Sequence, residues 1–197
     1  MRRIGLTGGI ATGKSTVLET LAACGAAVLD ADAIVHELYA NSAVLRERVR
    51  ALFGDGCLRA DGQLDREAVA RRVFADAAAR AQLEGLIHPL VWATINERAA
   101  ALAARKPPLL VFDIPLLFEV CDLTLFDAIV VVSCDRATQV RRIMKRYQCD
   151  QPTAEARIDS QLPLHEKLAR ADYVIETNGL ISDTRTAVRN LYRHLLR

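Results

Sequence analysis

The segment GGIATGKST, residues 8 to 16, constrains this chain more than any other part of it. It satisfies the pattern GxxxxGK[ST], whose defining positions are Gly8, Gly13, Lys14 and Ser15. An apolar run, Ile4 to Leu6, precedes the segment and a helical pattern follows it, which is the context in which this motif binds phosphates. The backbone N–H groups of such a loop and the positive end of the helix bind a nucleoside triphosphate.

The motif predicts roles for individual loop residues. Lys14 is expected to reach the β and γ phosphates, and the Ser15 hydroxyl is expected to ligate Mg²⁺. The backbone from Gly8 and Gly9 onward is expected to wrap the phosphates. The alternative is a glycine turn that enters a helix without binding anything.

Further apolar runs indicate a sheet. They are residues 26–29, 109–112, 128–132 and 173–175. Most lack polar alternation, which is typical of parallel strands covered by helices on both faces. Helical patterns lie between the runs, the clearest over residues 138–147, and a last helix is predicted over residues 180–196 with Ser182 or Asp183 as its cap. The alternation predicts an α/β fold with a three-layer, doubly wound, five-stranded parallel sheet.

The spacing of the runs predicts two additions to a single domain of residues 1–197. About eighty residues separate the second run from the third, far more than a crossover needs. Helical patterns fill them, so we expect an inserted helical subdomain over residues 33–107, which would bind the acceptor. A second segment, residues 147–171, carries Pro152 and Pro163; it is predicted to be irregular and to act as a mobile lid.

Composition argues against several classes of protein. The net charge is only +2, so nothing global indicates binding to nucleic acid or an anionic membrane. The five cysteines are far apart and never form a CxxC pair, so we expect small buried side chains rather than disulfides or a zinc site. No apolar run approaches the length of a membrane span, and the residues after Arg3 do not form a signal peptide. The sequence predicts a soluble cytoplasmic protein, a monomer or weak homo-oligomer, with a small-molecule partner.

The loop does not indicate what happens to the γ-phosphoryl group, so other residues must be used to decide this. A GTPase switch would contain DxxG and NKxD segments, and neither string occurs. A motor or ABC-type ATPase would have a strand that ends in paired acids, whereas the third run ends in the single acid Asp113. A small kinase and an ATP-binding module without chemistry remain. Asp113 is either a ligand in the Mg²⁺ shell or a solvated acid at a strand end.

Two acids, Asp30 and Asp32, follow the second predicted strand at the edge of the sheet where ligands bind. A carboxylate at this edge could orient an acceptor hydroxyl and take its proton. Asp32 is favoured for this role and Asp30 is the reserve. The alternative is an acid that merely caps the next helix.

Basic residues outnumber acidic ones between residues 136 and 170. Arg142 and Arg146 lie one helical turn apart, so both guanidinium groups could point at one polyanion. Arg157, on a second short helix, could close from the far side. The alternative is an ordinary solvated face.

Taken in order, the motifs of this chain resemble those of the dephospho-CoA kinase family, P-loop enzymes that phosphorylate the ribose 3′-hydroxyl of dephospho-CoA to complete coenzyme A. The matching segments are LTGGIATGKST, LDADAIVHEL, IHPLV, DIPLLFE, QVRRIMKR, ARIDSQ and ADYVIETNG. They cover essentially the whole chain. The resemblance implies ATP and Mg²⁺ as cofactors, dephospho-CoA as substrate, and a fold like that of the nucleoside monophosphate kinases.

The resemblance also implies residue roles. Asp32 would lie at the acceptor hydroxyl, Arg142 and Arg146 on the lid side, and Arg146 would stabilise the transferring group. The residues that would contact ATP phosphates are Ala11, Thr12, Gly13, Lys14, Ser15 and Thr16, while Asn178 and Gly179 would lie near the adenine. The positions near dephospho-CoA would be His36, Arg66, His88 and Glu119. His88, which precedes Pro89, could instead satisfy a turn.

One departure from the family concerns the loop itself. The family usually has GGIGSGKS, so Ala11 and Thr12 stand where glycine and serine are usual. If residue 11 adopts a positive φ, alanine costs about 1 kcal/mol relative to glycine. At a negative φ the change is nearly neutral.

Overall fold

A five-stranded sheet forms the centre of the computed structural model, which describes residues 1–197. Its strands are β1 (Arg2–Gly8), β2 (Ala27–Asp30), β3 (Leu109–Asp113), β4 (Ala128–Ser133) and β5 (Tyr173–Glu176). Every pairing is parallel and the order is β2-β3-β1-β4-β5. From β1 the chain continues to β2 at one edge of the sheet, and from β4 it continues to β5 at the other edge. In such a sheet a crevice opens at the carboxyl ends of the two adjacent strands, here β1 and β4.

Helices lie on both sides of the sheet, which confirms the predicted doubly wound α/β fold. In chain order they are α1 (Lys14–Ala23), α2 (Ala31–Asn41), α3 (Ala43–Phe53), α4 (Arg66–Ala75), α5 (Ala77–Ala103), α6 (Leu117–Val120), α7 (Arg136–Tyr147), α8 (Gln151–Asp159), α9 (Leu164–Ala169) and α10 (Ile181–Leu195). Short 3₁₀ turns occupy Asp55–Cys57 and Leu123–Leu125. No helix is both long and apolar enough to cross a bilayer.

The core beneath the phosphate loop follows from the alternation of the strands. Ile4 and Leu6 of β1 are fully buried and belong to one cluster with residues of α1 and α10, among them Val17 and Val188. Phe112 of β3 points to the opposite face, because side chains alternate along a strand, and its ring meets that of Phe126 edge to face at 5.5 Å. Both faces of the central strands are therefore covered.

The chain divides into two compact units. One comprises Met1–Asp30 and Ala101–Arg197 and contains the sheet; the other is Ala31–Ala100. The second unit is helical apart from one antiparallel bridge between Leu58 and Leu64. Its helices are capped locally: the Asp65 carboxylate accepts the N–H groups at the start of α4, and these bonds lower the pKa of Asp65. A role for this unit in binding the acceptor remains a prediction.

Pro89 does not mark a turn. It lies inside α5, and His88 is an exposed residue of the same helix, so the alternative that His88 satisfies a turn is wrong. A proline inside a helix removes one intrahelical hydrogen bond, and here the helix continues on both sides of it.

The segment 147–171 is not irregular, contrary to prediction. It forms α8 and α9, because Pro152 occupies the first turn of α8 and Pro163 is the N-cap of α9, positions where no intrahelical N–H is needed. The predicted cap of α10 is also wrong. That helix begins at Ile181, so Ser182 and Asp183 lie within its first turn, and its N-cap, Leu180, makes no side-chain cap bond.

All five cysteines are free thiols, but the prediction that they are buried holds for only two of them. Cys57 and Cys134 are buried and the other three are half-buried. Burial raises the pKa of the Cys121 thiol to about 11, so this side chain stays protonated at neutral pH.

Candidate active site

Side chains hold consecutive carbonyl groups of the phosphate loop. The Ile10 carbonyl accepts a bond of 2.9 Å from Gln139 Nε2, the Ala11 carbonyl one of 3.3 Å from Arg142 Nη1, and the Thr12 carbonyl one from Thr177 Oγ1. Among residues 9–16, the N–H groups without an acceptor inside the protein are those of Gly9, Ala11, Gly13, Lys14 and Ser15. With its carbonyls engaged and these donors unpaired, the loop can bind an anion.

The loop contains two left-handed residues. Gly13, the N-cap of α1, has φ 90°, a conformation that favours glycine. Ala11 has φ 59°, so the first of the two alternatives for this residue holds and the loop carries strain at an alanine.

Lys14, the first residue of α1, forms an ion pair with the carboxylate of Asp113. Asp113 ends β3 and is only 5% exposed, so the alternative of a solvated strand-end acid is wrong. Asp113 pairs in register with Leu6 of β1 and with Asp30 of β2. The topology therefore sets two carboxylates side by side at the carboxyl edge of the sheet.

A small cavity adjoins the loop and the start of α10. Its volume is about 180 Å³, and its lining residues are Gly13, Thr16, Arg142, Thr177, Gly179, Ile181 and Thr184. Arg142 is fixed there by bonds from its guanidinium to Thr177, of 3.0 Å to Oγ1 and 2.6 Å to the carbonyl. The neighbouring Asn178 accepts the N–H of Asp135 on Oδ1 at 2.8 Å, which ties this loop to the N-cap of α7. Several residues predicted to bind nucleotide thus share one cavity.

Arg146 does not share these contacts. Its guanidinium lies 5.4 Å from the ring centre of Tyr147, and that of Arg157 lies 4.6 Å from the same ring centre. Arg142 and Arg146 lie on consecutive turns of α7, but their side chains contact different partners. The structure therefore does not show the two guanidinium groups pointing at one site. Both cations on Tyr147 belong to residues predicted for the lid.

Glu119, predicted to lie near the substrate, has protein partners of its own. It lies in α6 and its Oε1 accepts bonds from Lys167 Nζ at 2.8 Å and from the Leu162 N–H at 3.3 Å. Lys167 is fully buried, and its ammonium also donates to the Pro115 carbonyl at 3.3 Å. The DIPLLFE segment is thereby tied to α9.

Within the helical unit, two of the predicted substrate residues meet. Arg66, the first residue of α4, places Nη1 and Nη2 at 2.8 and 3.2 Å from the two ring nitrogens of His36 in α2. The guanidinium also lies over the Tyr39 ring, 5.5 Å from its centre. The side chains of Arg66 and His36 are exposed. Asp32, in the first turn of α2, and His88, in α5, are also exposed.

Oxygen donors suited to Mg²⁺ are present beside the loop. No group of three or more His, Cys, Asp or Glu side chains could hold a metal ion alone. Mg²⁺ at nucleotide sites uses one or two protein oxygens together with the phosphates, so no such group is required. The Ser15 hydroxyl, exposed at the start of α1, and the Asp113 carboxylate are donors of this kind.

Known proteins match the chain over nearly its whole length. A family model described as Dephospho-CoA kinase matches residues 2–183. A dephospho-CoA kinase of Anaeromyxobacter dehalogenans is 48% identical over 179 residues, which cover 91% of this chain and 85% of that protein. This chain belongs to the dephospho-CoA kinase family. The resemblance seen in its motifs is confirmed.

Solved structures share the fold of this chain, and one of them is a dephospho-CoA kinase. The protein TT1252 from Thermus thermophilus superimposes with a TM-score of 0.85 at 34% identity, covering 98% of this chain and 97% of its own. The dephospho-CoA kinase from Campylobacter jejuni gives a TM-score of 0.67 at 27% identity, with the same coverage.

Sequence reasoning missed several residues that shape the candidate site. They are Gln139, Gln161, Lys167 and Thr177. Gln139 could have been found, because it is a polar residue on the same face of α7 as the apolar Val140 and Ile143. Gln161 and Thr177 lie in the family-matching segments ARIDSQ and ADYVIETNG, but nothing in either segment singles out these residues, which lie in connections whose conformation the sequence does not indicate.

Proposed function

We propose that this protein transfers the γ-phosphoryl group of ATP to the ribose 3′-hydroxyl of dephospho-CoA, which yields coenzyme A and ADP. The observation that carries the proposal is an intact phosphate loop in a chain that matches the family across both compact units. Membership of a kinase family and the strand-end acids support transfer over simple nucleotide binding.

Lys14 and the loop N–H groups hold the phosphates. The unpaired donors of the loop bind phosphate oxygens, and the Lys14 ammonium leaves Asp113 to contact the β and γ phosphates. Because the loop carbonyls are already engaged, the donors need little rearrangement to do so, which favours stabilisation of charge in the transition state.

The metal would be held by Ser15 and Asp113. When bound, Mg²⁺ neutralises the charge that develops on the phosphate oxygens. Asp113 is suited to this because it is buried at the strand edge and loses its partner Lys14 to the phosphates.

Asp32 is proposed to take the proton of the acceptor. The 3′-oxygen forms a bond to the γ phosphorus while the bond from that phosphorus to ADP breaks, and the hydroxyl proton passes to the carboxylate. Support comes from the position of Asp32 two residues after β2, with its side chain exposed. Asp30, which ends β2, is the alternative base.

The remaining predicted residues are proposed to bind the two substrates. Asn178, Gly179 and Arg142 would surround the adenine beside the small cavity. The exposed pair His36 and Arg66 would bind dephospho-CoA, an anion suited to a guanidinium. His88 and Glu119 are proposed at the same side, and Arg146 at the transferring phosphoryl group.

A coupled assay of ADP release tests the function. Dephospho-CoA, AMP, UMP and shikimate are each offered with ATP and Mg²⁺, and only dephospho-CoA is expected to give ADP at a rate well above that without acceptor. Turnover of another acceptor would indicate a different small-metabolite kinase. If ADP is released with none of the four acceptors, the protein is a module that binds ATP without transferring its phosphoryl group.

The segment 147–171 is proposed to be the lid. Arg157 of this segment, and Arg146 just before it, would leave Tyr147 for the nucleotide, which predicts slower hydrogen exchange in α8 and α9 when ATP and Mg²⁺ bind. Unchanged exchange there, with slower exchange in the phosphate loop, would contradict the lid.

A further inference from the structure

Two glutamines to which the proposed mechanism gives no individual role bind the same residue of the phosphate loop, Ile10. Gln139, in α7, donates from Nε2 to the Ile10 carbonyl at 2.9 Å. Gln161, just beyond the end of α8, accepts the Ile10 N–H on Oε1, also at 2.9 Å. One glutamine therefore acts as a donor and the other as an acceptor.

These bonds fix the peptide groups that precede Ala11. The N–H of Ile10 belongs to the peptide group between residues 9 and 10, and its carbonyl to the group between residues 10 and 11. Arg142 holds the next peptide group through the Ala11 carbonyl at 3.3 Å. The planes on either side of Ala11 are thus held by Gln139 and Arg142, and its φ of 59° is a strained value that persists only when its surroundings impose it.

A glycine of the loop, Gly9, leaves room for the approach of Gln139. Gln139 is only 3% exposed, so its amide relies on protein partners. A Cβ atom on Gly9 would lie 2.7 Å from Gln139 Nε2, closer than such atoms can approach. The second glycine of the loop therefore makes room for this side chain.

Gln161 connects the loop to the proposed lid. The next residue, Leu162, donates its N–H to Glu119 at 3.3 Å, and Glu119 in turn pairs with the buried Lys167 of α9. The connection between α8 and α9 is therefore held to the loop on one side and to α6 on the other. Displacement of this connection would release the Ile10 N–H.

From these contacts we propose that Gln139 and Gln161 are positioning residues that hold the phosphate loop in the conformation that binds ATP. Both act through the backbone of Ile10. The inference rests on the proposed binding of ATP by this loop, and it adds a physical link between the loop and the connection from α8 to α9.

The two hydrogen bonds run in opposite directions, so one kind of substitution distinguishes them. Gln161→Glu keeps an acceptor for the Ile10 N–H and should leave the Kd for ATP with Mg²⁺ close to that of the parent protein, whereas Gln161→Leu should raise it about tenfold. Gln139→Leu should also raise the Kd about tenfold, and Gln139→Glu should do so at least as much, because a carboxylate facing the Ile10 carbonyl has no proton to donate. Calorimetry measures each Kd.

A second measurement needs no nucleotide. Hydrogen exchange of the Ile10 amide should be faster in Gln161→Leu than in the parent protein or in Gln161→Glu, since only the leucine variant lacks the acceptor. Gln82→Leu, which removes an exposed glutamine from α5, outside the phosphate loop and the proposed lid, is the matched control and should change neither exchange at Ile10 nor the Kd.

The ranking of the variants by their Kd for ATP decides whether the inference holds. If glutamate weakens ATP binding more than leucine at both positions, charge repulsion explains the effect and the inference is wrong. Parent-like Kd and exchange values in both leucine variants would overturn it as well. If the Gln139 variants do not fold, the Gln161 pair alone gives the answer. A parent protein that binds ATP but phosphorylates no acceptor would refute the proposed function and leave this test standing.

Discussion

The ammonium group of Lys14 is paired with the carboxylate of Asp113, the last residue of β3. The carboxylate is nearly buried, so each group neutralises a charge that would otherwise be poorly solvated. ATP and Mg²⁺ together offer both groups a replacement partner, a phosphate for the lysine and the metal for the aspartate. Charge in the site would then stay balanced when the pair separates.

This exchange predicts the behaviour of Asp113→Asn. The variant keeps an oxygen at the strand end but loses the negative charge, so the Mg²⁺ concentration for half-maximal activity should rise about tenfold or more, a change of about 1.4 kcal/mol. Steady-state rates over a Mg²⁺ titration measure it. Glu176→Gln, which alters an exposed acid at the end of β5, is the control. Equal Mg²⁺ dependence in both variants would rule out Asp113 as a ligand.

The strained Ala11 predicts a stabilising substitution. Ala11→Gly should raise the free energy of unfolding by about 1 kcal/mol, because glycine adopts a positive φ without steric cost. For a chain of this size, that corresponds to a rise in Tm of about 2 to 4 °C. Thermal unfolding followed by circular dichroism measures it.

An alanine-to-glycine substitution at an unstrained helical site should change the free energy of unfolding in the opposite direction. Ala93→Gly, at an exposed site in the interior of α5, should lower the free energy of unfolding by about 1 kcal/mol. A fall in Tm for both variants would show that Ala11 is not strained.

The ion pair between Glu119 and the buried Lys167 predicts non-additive effects. Glu119→Gln leaves a buried ammonium without its counter-charge and should destabilise the protein by about 3 kcal/mol. Lys167→Met in the same chain should recover most of that loss, because it removes the unpaired charge. Urea unfolding of the single and double variants measures the coupling, and simple additivity would contradict it.

The same variants test the role proposed for Glu119 in binding substrate. If Glu119 also contacts dephospho-CoA, the double variant regains stability but keeps a raised KM for dephospho-CoA. Recovery of both properties would show that Glu119 acts only through Lys167.

The fold was predictable from the sequence because the strands are continuous apolar runs. Residues 109–112 and 128–132 form fully buried strands, with one residue added at the end of each. Several incorrect predictions concerned prolines, because the position of a proline relative to a helix decides whether the helix continues, begins or ends there. Pro89 was tolerated inside α5, and Pro152 and Pro163 began helices instead of interrupting them.

The site was predictable only in part. The loop residues share a fixed spacing, so the motif located them together, and Arg142 and Gly179 proved to line one cavity with Gly13. Contacts between distant side chains had no such pattern. Gln161 reaches Ile10 across 151 residues of sequence, and Lys167 reaches Pro115 across 52, pairings that depend on the fold rather than on local composition.

The base assignment predicts a specific kinetic defect. Asp32→Asn should lower kcat by about a hundredfold or more, because the amide cannot accept the hydroxyl proton, while the Kd for ATP stays the same. Asp30→Asn, at the end of β2, should lose much less. Rapid single-turnover kinetics separates the chemical step from product release. A larger loss in Asp30→Asn would transfer the role to that residue, and normal turnover in both would remove a carboxylate base from the mechanism.

Identification of the phosphorylated position tests the central claim most directly. Phosphorus NMR of a reaction of this protein with ATP, Mg²⁺ and dephospho-CoA should show a new phosphate monoester coupled to the ribose proton on carbon 3′, with ADP in equal amount. Inorganic phosphate in place of the monoester, or a monoester at another hydroxyl, would contradict transfer to the 3′-hydroxyl.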